Sequence, residues 1–235
     1  DNLFSDSVLA INPDTGERVW YYQFTPHDVW DYDGNSHLFQ ADIEENGQTV
    51  KALVQANRNG FFYAINRTNG EFIRATSYME QLNWADSMEP NGRPVVNPDA
   101  MPNEEPTFRI CPGVFGGMNG SVSGSLNPEL GLAFIPVIES CQLMQKGISM
   151  HVEGQLFFGG LPIPVDLEPN EEGEWPAYGH ISAVDYSTGD IAWRYYDPQP
   201  MMAGTLSTAG GLVFTGSQTG HALGLNAETG EVVWR

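Results

Sequence analysis

The sequence predicts an all-β protein of the β-propeller class, and two observations support that prediction. One strand–turn–strand phrase occurs four times along the chain. Glycine (26) and proline (16) together make up about 18% of the 235 residues, where ~12% is usual. Because no low-complexity tract contains them, these residues indicate many short strands joined by many turns.

The repeated phrase reads small–apolar–Asn/Asp–x–x–Thr/Asn–Gly–Asp/Glu–x–x–Trp. Its copies are Leu9–Trp20, Tyr63–Ile73, Ser182–Trp193 and Leu223–Trp234, the second of which lacks the Trp. In each copy Asn or Asp opens the turn and Gly takes a position with positive φ. The recurring Trp predicts a docking contact between neighbouring units. A repeated four-stranded unit of roughly 40–50 residues is typical of a propeller blade, and an antiparallel sandwich is the alternative.

The spacing of the repeats predicts where additional structure lies. The turn glycines fall at Gly16, Gly70, Gly189 and Gly230, so the long second interval, from Gly70 to Gly189, must hold extra strands or an insertion. Buried strands are expected in Leu130–Val137 and Gly210–Ser217. The polar, Pro-rich stretches Tyr78–Thr107 and Leu161–Tyr178 are expected to form long surface loops.

Charge and composition exclude several functional classes. The net charge of −20 argues against nucleic acid and anionic membranes as partners. No apolar run approaches the roughly 18 residues of a transmembrane helix, and the sequence contains no P-loop, G-x-S-x-G or C-x-x-C motif. The first residue is Asp1, and Arg235 ends a strand-like run. We therefore expect residues 1–235 to form one partial propeller domain within a longer protein.

The densest group of polar residues is Thr25–Asn35, which contains His27, Asp28, Asp31 and Asp33. If this segment is a strand, Asp31 and Asp33 share one face. Two carboxylates on one face repel each other unless a cation lies between them. Oxygen ligands of this kind suit Ca²⁺ or a trivalent ion of similar size. The alternative is a solvated acidic turn.

Two further segments carry candidate binding residues. Arg58 lies in a predicted turn ahead of an apolar strand, where it either holds an anionic or quinone oxygen or ties loop carbonyls together. The Gly-rich stretch Cys111–Ser125 indicates close approach of the backbone to a blade or a flat ligand. Within it, Asn119 can both donate and accept hydrogen bonds. Cys111 and Cys141 either pair in an oxidising compartment or remain independent core cysteines.

Together these stretches resemble the large subunits of quinoprotein alcohol dehydrogenases, the pyrroloquinoline quinone (PQQ) enzymes that include methanol and ethanol dehydrogenases. The phrases TPHDVWDYDGN and ANRNG, in this order, are the most specific part of the resemblance, which runs through the whole sequence. It implies an eight-bladed propeller of which this chain is roughly the C-terminal half, about four blades. It also implies that the metal and PQQ ligands of the N-terminal half are missing, so this segment alone is not expected to be active.

The resemblance implies roles for individual residues. Asp31 matches the catalytic carboxylate, which also contacts the metal, and Arg58 matches the arginine that hydrogen-bonds the quinone oxygens. Asn119 matches an asparagine that contacts PQQ. Asp33 matches a position typical of lanthanide-dependent members, so a lanthanide ion is favoured over Ca²⁺. A disulfide between Cys111 and Cys141 is implied as well.

The function implied by the resemblance is oxidation of a primary alcohol to an aldehyde, with hydride transfer to PQQ and electrons passed to a cytochrome c. A periplasmic location is expected, and a homodimer is compatible with the family. Two alternatives are a non-catalytic propeller that binds other proteins and a quinoprotein dehydrogenase for polyols or sugars.

Overall fold

The strands of the repeats assemble into consecutive antiparallel sheets, as the sequence predicts. A computed structural model describes residues 2–118, 122–147, 150–155 and 177–235. The only helical element in those ranges is the 3₁₀ turn Pro98–Ala100. Within the same ranges no helix is long and apolar enough to cross a membrane.

Three of the sheets have four strands each, and we call them the first, second and third blade. The first blade consists of β3 (Phe39–Glu45), β4 (Gln48–Ala56), β5 (Phe61–Asn66) and β6 (Phe72–Ser77). The second consists of β10 (Ser125–Asn127), β11 (Leu132–Glu139), β13 (Tyr178–Asp185) and β14 (Ile191–Asp197). The third consists of β15 (Leu206–Ser207), β16 (Leu212–Gly216), β17 (Ala222–Asn226) and β18 (Val232–Trp234).

Three two-stranded sheets complete the described structure. The leading hairpin pairs β1 (Ser7–Ile11) with β2 (Arg18–Gln23). Between the first and second blades, β7 (Ala85–Met88) pairs with β8 (Pro94–Val96), and β9 (Arg109–Ile110) pairs with β12 (Gln142–Leu143). The long interval between repeats therefore holds extra strands, as expected.

The repeated phrase forms the hairpins β1–β2, β5–β6, β13–β14 and β17–β18. Each hairpin has a register shift at the same place, just before the turn. The turn glycines all have positive φ, between 73° and 82°, at Gly16, Gly70, Gly189 and Gly230. The predicted turn chemistry is confirmed.

The predicted docking contact is present. The Trp side chain of one repeated hairpin lies on the turn of the next repeated hairpin. Nε1 of Trp20 donates to the carbonyl of Arg67 at 3.2 Å, and Nε1 of Trp193 donates to that of Ala227 at 3.0 Å. A Cβ added at Gly70 would lie 2.8 Å from the Trp20 ring, and one at Gly230 2.5 Å from the Trp193 ring. Glycine is thus required both for positive φ and for the close approach of the indole.

The second copy of the phrase has no Trp, and two polar side chains replace it. Oγ1 of Thr76 donates to the carbonyl of Gly189 at 2.9 Å, and Arg74 donates to the carbonyl of Ser187. A Cβ at Gly189 would lie 2.4 Å from Oγ1 of Thr76. The same turn position therefore accepts a hydrogen-bonded threonine where the indole is absent.

One loop prediction is wrong in part, and another falls on undescribed residues. The stretch Tyr78–Thr107 contains β7, β8 and the 3₁₀ turn rather than only surface loop, because its Trp84 and Ala100 are fully buried. Nε1 of Trp84 donates to the carbonyl of Asn59 at 2.6 Å, which fixes this stretch against the first blade. Most of the stretch Leu161–Tyr178, residues 161–176, lies outside the described residues.

Candidate active site

The segment that carries Asp31 and Asp33 is not a strand, which corrects the sequence prediction. Both carboxylate oxygens of Asp28 accept backbone N–H groups, from Trp30 at 3.0 Å and from Tyr32 at 2.9 Å. Asp31, between them, has φ of +65°. Local side-chain-to-backbone bonds of this kind compete with a sheet ladder and hold the chain in a loop.

The loop nevertheless points Asp31 and Asp33 to the same side, away from Tyr32. Tyr32 is fully buried and both aspartates are exposed. The Tyr32 ring packs against Trp30 and Trp84 with centroid distances of 5.6 and 5.2 Å, and its hydroxyl donates to the carbonyl of Pro112 at 2.7 Å. An aromatic cluster therefore anchors the loop from beneath.

Arg58 lies in the predicted turn between β4 and β5. The amide of Gly60 closes this turn on the carbonyl of Asn57 at 3.0 Å, and Gly60 has φ of +94°. The amide of Asn59 binds Oδ1 of Asn57 at 3.0 Å. Because the turn is bonded internally, the Arg58 backbone is held in one conformation.

The structure brings Arg58 and the aspartate loop together. Nη1 of Arg58 donates to Oδ1 of Asp33 at 2.6 Å, with the Arg58 side chain 9% exposed and the Asp33 side chain 55% exposed. Loss of solvation raises the pKa of the Asp31 carboxyl, the Arg58 charge lowers it, and the Asp33 charge raises it further. Asp31, Asp33 and Arg58 thus form one electrostatic unit.

Two half-buried carboxylates near this unit, Asp6 and Asp28, were given no role by the sequence analysis. Burial raises the pKa of Asp28, and the negative charges of Asp31 and Asp33 add to that effect. Asp6 lies before β1 and accepts hydrogen bonds from the amide of Gly34 and Nδ2 of Asn57. Burial raises the pKa of Asp6 to about 6. Asp6 gave no motif signal, because its partners lie 28 and 51 residues away.

The Gly-rich segment approaches the Arg58 turn from the other side. The hydroxyl of Tyr78 donates to the carbonyl of Asn57 and accepts from the amide of Met118, both at 2.7 Å. A Cβ at Gly117 would lie 2.4 Å from the carbonyl oxygen of Arg58. The sequence predicted that the backbone of the Gly-rich stretch closely approaches a blade or a ligand. At Gly117 it approaches the backbone of Arg58. Asn119, the predicted PQQ contact, lies outside the described residues.

Cys111 and Cys141 form a disulfide, with Cα atoms 4.4 Å apart. The amide of Cys111 donates to Oδ1 of Asn83 at 2.7 Å, and the amide of Gly113 donates to the carbonyl of Ser140 at 2.8 Å. The covalent link thus closes a hydrogen-bonded frame around the segment that carries Pro112, the acceptor for Tyr32.

A second buried network lies at one end of the central strands of the second blade, β11 and β13. His180 and Glu139 are both fully buried, with Nε2 of His180 3.0 Å from Oε1 of Glu139 and Nδ1 2.9 Å from the Ser182 hydroxyl. Glu139 also accepts the amides of Glu80 and Gln81. Because no solvent reaches it, this Ser–His–Glu arrangement serves to fix the chain after β6.

Comparison with known proteins shows what this chain is similar to in sequence and in fold. A sequence-family model described as the β-propeller domain of glucose, ethanol and alcohol dehydrogenases matches residues 1–81, and one described as the outer membrane protein assembly factor BamB matches residues 177–235. The quinoprotein alcohol dehydrogenase PedH of Pseudomonas putida is 35% identical over this entire chain, which covers 39% of PedH. This chain is a relative of the quinoprotein alcohol dehydrogenases.

Two further dehydrogenases are similar to this chain. The 1-butanol dehydrogenase (cytochrome c) of Thauera butanivorans is 35% identical, with all of this chain and 34% of that protein covered. A structure described as a europium-containing methanol dehydrogenase superposes with a TM-score of 0.88 at 30% identity, covering 98% of this chain and 40% of the other. The predicted β-propeller is confirmed, and the chain is a segment of the larger quinoprotein propeller. It spans between a third and two fifths of these curated relatives.

Proposed function

We propose that the complete protein is a PQQ-dependent dehydrogenase that oxidises a primary alcohol to an aldehyde. The observation that carries this proposal is the unit of Asp31, Asp33 and Arg58, joined by the 2.6 Å contact between Arg58 and Asp33. The relatives are quinoprotein alcohol dehydrogenases along the whole chain, which supports the same class of reaction.

The residues of the site fit the groups that such a reaction requires. Nε of Arg58 is buried and has no hydrogen-bond partner, so it is available to an acceptor oxygen such as that of a quinone. Asp31 and Asp33 offer hard oxygen ligands for a metal ion. The described residues contain no group of three His, Cys, Asp or Glu side chains that could hold a metal, so the ion would need further ligands. When bound, PQQ supplies a two-electron acceptor and the metal supplies Lewis acidity.

In this proposal Asp31 takes the hydroxyl proton of the alcohol as a general base. Loss of solvation raises its pKa, which makes the ionised carboxylate a stronger base. The Arg58 charge counteracts part of that rise in pKa. The hydrogen on the carbinol carbon would leave with its electron pair to the two-electron acceptor that bound PQQ would supply, and the carbonyl of the aldehyde would form as the O–H bond breaks.

Arg58 would stabilise negative charge that develops on an acceptor oxygen. Its guanidinium is nearly buried, so its charge acts in a medium of lower dielectric than water. The closed turn Asn57–Gly60 holds its backbone and Asp33 holds one of its nitrogens. A charge held this way needs little reorganisation during the reaction.

Asp33 supports a lanthanide as the preferred ion, with Ca²⁺ as the alternative. A second carboxylate next to Asp31 offsets the third positive charge of a trivalent ion. The europium-containing relative is consistent with that choice. Asn119 remains the proposed PQQ contact of the Gly-rich segment.

The electron acceptor proposed for the complete protein is a cytochrome c, and the compartment is the periplasm. The name of the Thauera relative includes cytochrome c. The net charge of −20 favours association with a basic partner, and the disulfide is stable in an oxidising compartment.

The alternative of a non-catalytic scaffold has one observation in its favour, the match of residues 177–235 to the BamB family model. That region contains two copies of the Trp phrase but none of Asp31, Asp33 and Arg58. A non-catalytic scaffold would not require Asp31, Asp33 and Arg58 to lie together. We therefore favour the enzyme. Action on polyols or sugars instead of simple alcohols is distinguished by kcat/KM for each substrate class.

Asp31→Asn in the complete protein tests the proposal. We expect alcohol-dependent turnover to fall by a factor of about 10³ or more, while the midpoint of thermal unfolding stays near that of the wild type. Asp14→Asn, an exposed turn residue, is the control and should retain full activity. Retained turnover in Asp31→Asn contradicts the assignment of the base.

A further inference from the structure

The carboxylate of Asp6 joins the two loops that carry the ion pair. Its Oδ1 accepts a hydrogen bond from the amide of Gly34 at 2.8 Å and another from Nδ2 of Asn57 at 3.0 Å. Gly34 directly follows Asp33, and Asn57 directly precedes Arg58. One oxygen atom thus connects the residues adjacent to both partners of the pair.

Asp6 itself is held firmly. Its backbone carbonyl accepts the amide of Phe24 at 2.9 Å, which fixes it beside the end of β2. Asp6 precedes β1, so the leading hairpin supports the connection between the two loops.

Both residues that Asp6 binds are also fixed by other contacts. The carbonyl of Gly34 accepts Nε2 of Gln55 at 2.9 Å. The amide of Asn57 donates to the carbonyl of Phe61 at 2.9 Å. Gln55 therefore ties Gly34 to the end of β4, and Asp6 adds a direct link from Gly34 to Asn57 itself.

The two segments touch at this point. A Cβ at Gly34 would lie 2.0 Å from Nδ2 of Asn57 and 2.4 Å from Oδ1 of Asp6. A side chain at position 34 would therefore overlap both Asp6 and Asn57. The amide of Gly34 and Nδ2 of Asn57 are both donors, so neither can bind the other once their shared acceptor is removed.

We infer that Asp6 is a positioning residue, which sets the relative placement of Asp33 and Arg58 by accepting hydrogen bonds from the residues next to each. Its part in metal binding rests on the proposed function. The hydrogen bonds themselves need only an acceptor oxygen at this position. Asn in place of Asp6 therefore retains the connection, and Ala removes it.

The first measurement is binding of Tb³⁺ alone to the complete, metal-free protein, followed by luminescence. Asp6→Ala should weaken binding by about tenfold or more, in line with residues that orient metal ligands, and Asp6→Asn should stay close to the wild type. The matched control is Asp185→Ala, since Oδ1 of Asp185 also accepts two backbone amides, in the β13–β14 turn. Its Tb³⁺ affinity should be unchanged.

The second measurement does not depend on the proposed function. A double-mutant cycle of Asp33→Asn and Arg58→Gln, read from the equilibrium constant of unfolding, gives the coupling within the pair. We expect the coupling factor to fall about threefold or more in the Asp6→Ala background and to persist in the Asp6→Asn background.

The outcomes separate the two proposals. If the coupling is lost in Asp6→Ala while even the wild type does not bind Tb³⁺, the positioning role stands and the metal assignment fails. Unchanged coupling in Asp6→Ala, or an equal loss in Asp6→Asn, overturns the positioning role. If Asp6→Ala does not fold, Asn57→Ser removes the other end of the connection and must reduce the coupling in the same way.

Discussion

The guanidinium of Arg58 is 2.6 Å from the carboxylate of Asp33, although 25 residues separate them and only one of the two is buried. The contact joins a loop shaped by Asp28 to a turn closed by Gly60. It leaves Asp31 beside the pair, with its own carboxylate exposed. One carboxylate of the loop therefore holds the arginine, and the other is exposed to solvent.

Replacing Asp33 should alter the choice of metal. In the complete protein, refilled with La³⁺ or with Ca²⁺ after metal removal, Asp33→Asn should reduce the La³⁺-supported rate by about tenfold or more and the Ca²⁺-supported rate by less. The reason is that one negative charge next to the trivalent ion is lost. Steady-state turnover with each ion is the measurement.

A second ion pair provides the control for that variant. Asp42 pairs with Arg67 at 3.2 Å, and its side chain is 53% exposed, much as Asp33 is. Asp42→Asn should leave the metal preference unchanged. A wild-type protein that prefers Ca²⁺, or that works equally with both ions, would remove the role given to Asp33.

The docking of Trp193 on Gly230 predicts an unequal response of two similar glycines. Gly230 and Gly16 have nearly the same φ, 76° and 73°, but a Cβ at Gly16 has no atom within 4 Å. Gly16→Ala should cost about 1 kcal/mol for the left-handed backbone alone. Gly230→Ala should cost roughly 1–3 kcal/mol more, because the methyl group overlaps the indole. Denaturant unfolding of both variants measures the difference, and equal losses would mean that the indole moves aside freely.

Removal of the disulfide should destabilise the protein. The bond closes a loop with a sequence separation of 30, for which chain-entropy arguments give about 3–4 kcal/mol. The double variant Cys111→Ser/Cys141→Ser should show that loss in the free energy of unfolding. The wild type under reducing conditions is the companion measurement, and full stability there would contradict a structural role.

Asp6 predicts a specific pH dependence of stability. Its pKa is about 6 in the folded protein against 3.8 as the ordinary value, so the folded state holds the proton more tightly. Its contribution to stability is complete below about pH 4 and is lost as the pH rises through about 6. The free energy of unfolding of the wild type relative to Asp6→Asn should therefore fall by roughly 3 kcal/mol between pH 4 and pH 7.

The control for the pH experiment is Asp6→Ala, which also lacks the titrating carboxyl and should show the same change with pH in its difference from the wild type. A difference for Asp6→Asn that does not vary with pH would show that Asp6 is not desolvated.

The sequence predicted the features that depend on local chemistry. Asn12 and Gly16 define a turn within a few residues, and Trp20 recurs at a fixed offset from that turn. The turn and the Trp position could therefore be recognised from the repeats. The Arg58 turn followed from its neighbours in the same way. Contacts between distant residues were not predictable: Thr76 replaces an indole without any shared pattern, and Asp6 binds residues far along the chain. The strand prediction for Asp31 failed because alternation of polar and apolar residues persists in a loop when Asp28 caps it.

The backbone of Asp31, with φ of +65°, determines which substitutions there are informative. Apart from glycine, asparagine and aspartate enter this left-handed region most readily, whereas β-branched residues are strongly disfavoured. Asparagine at this position has nearly the same shape and the same conformational tolerance as aspartate but cannot accept a proton on an anionic oxygen. A kinetic defect in Asp31→Asn would thus report on loss of the carboxylate, as base and as metal ligand, whereas valine or threonine at the same position would add backbone distortion to that loss.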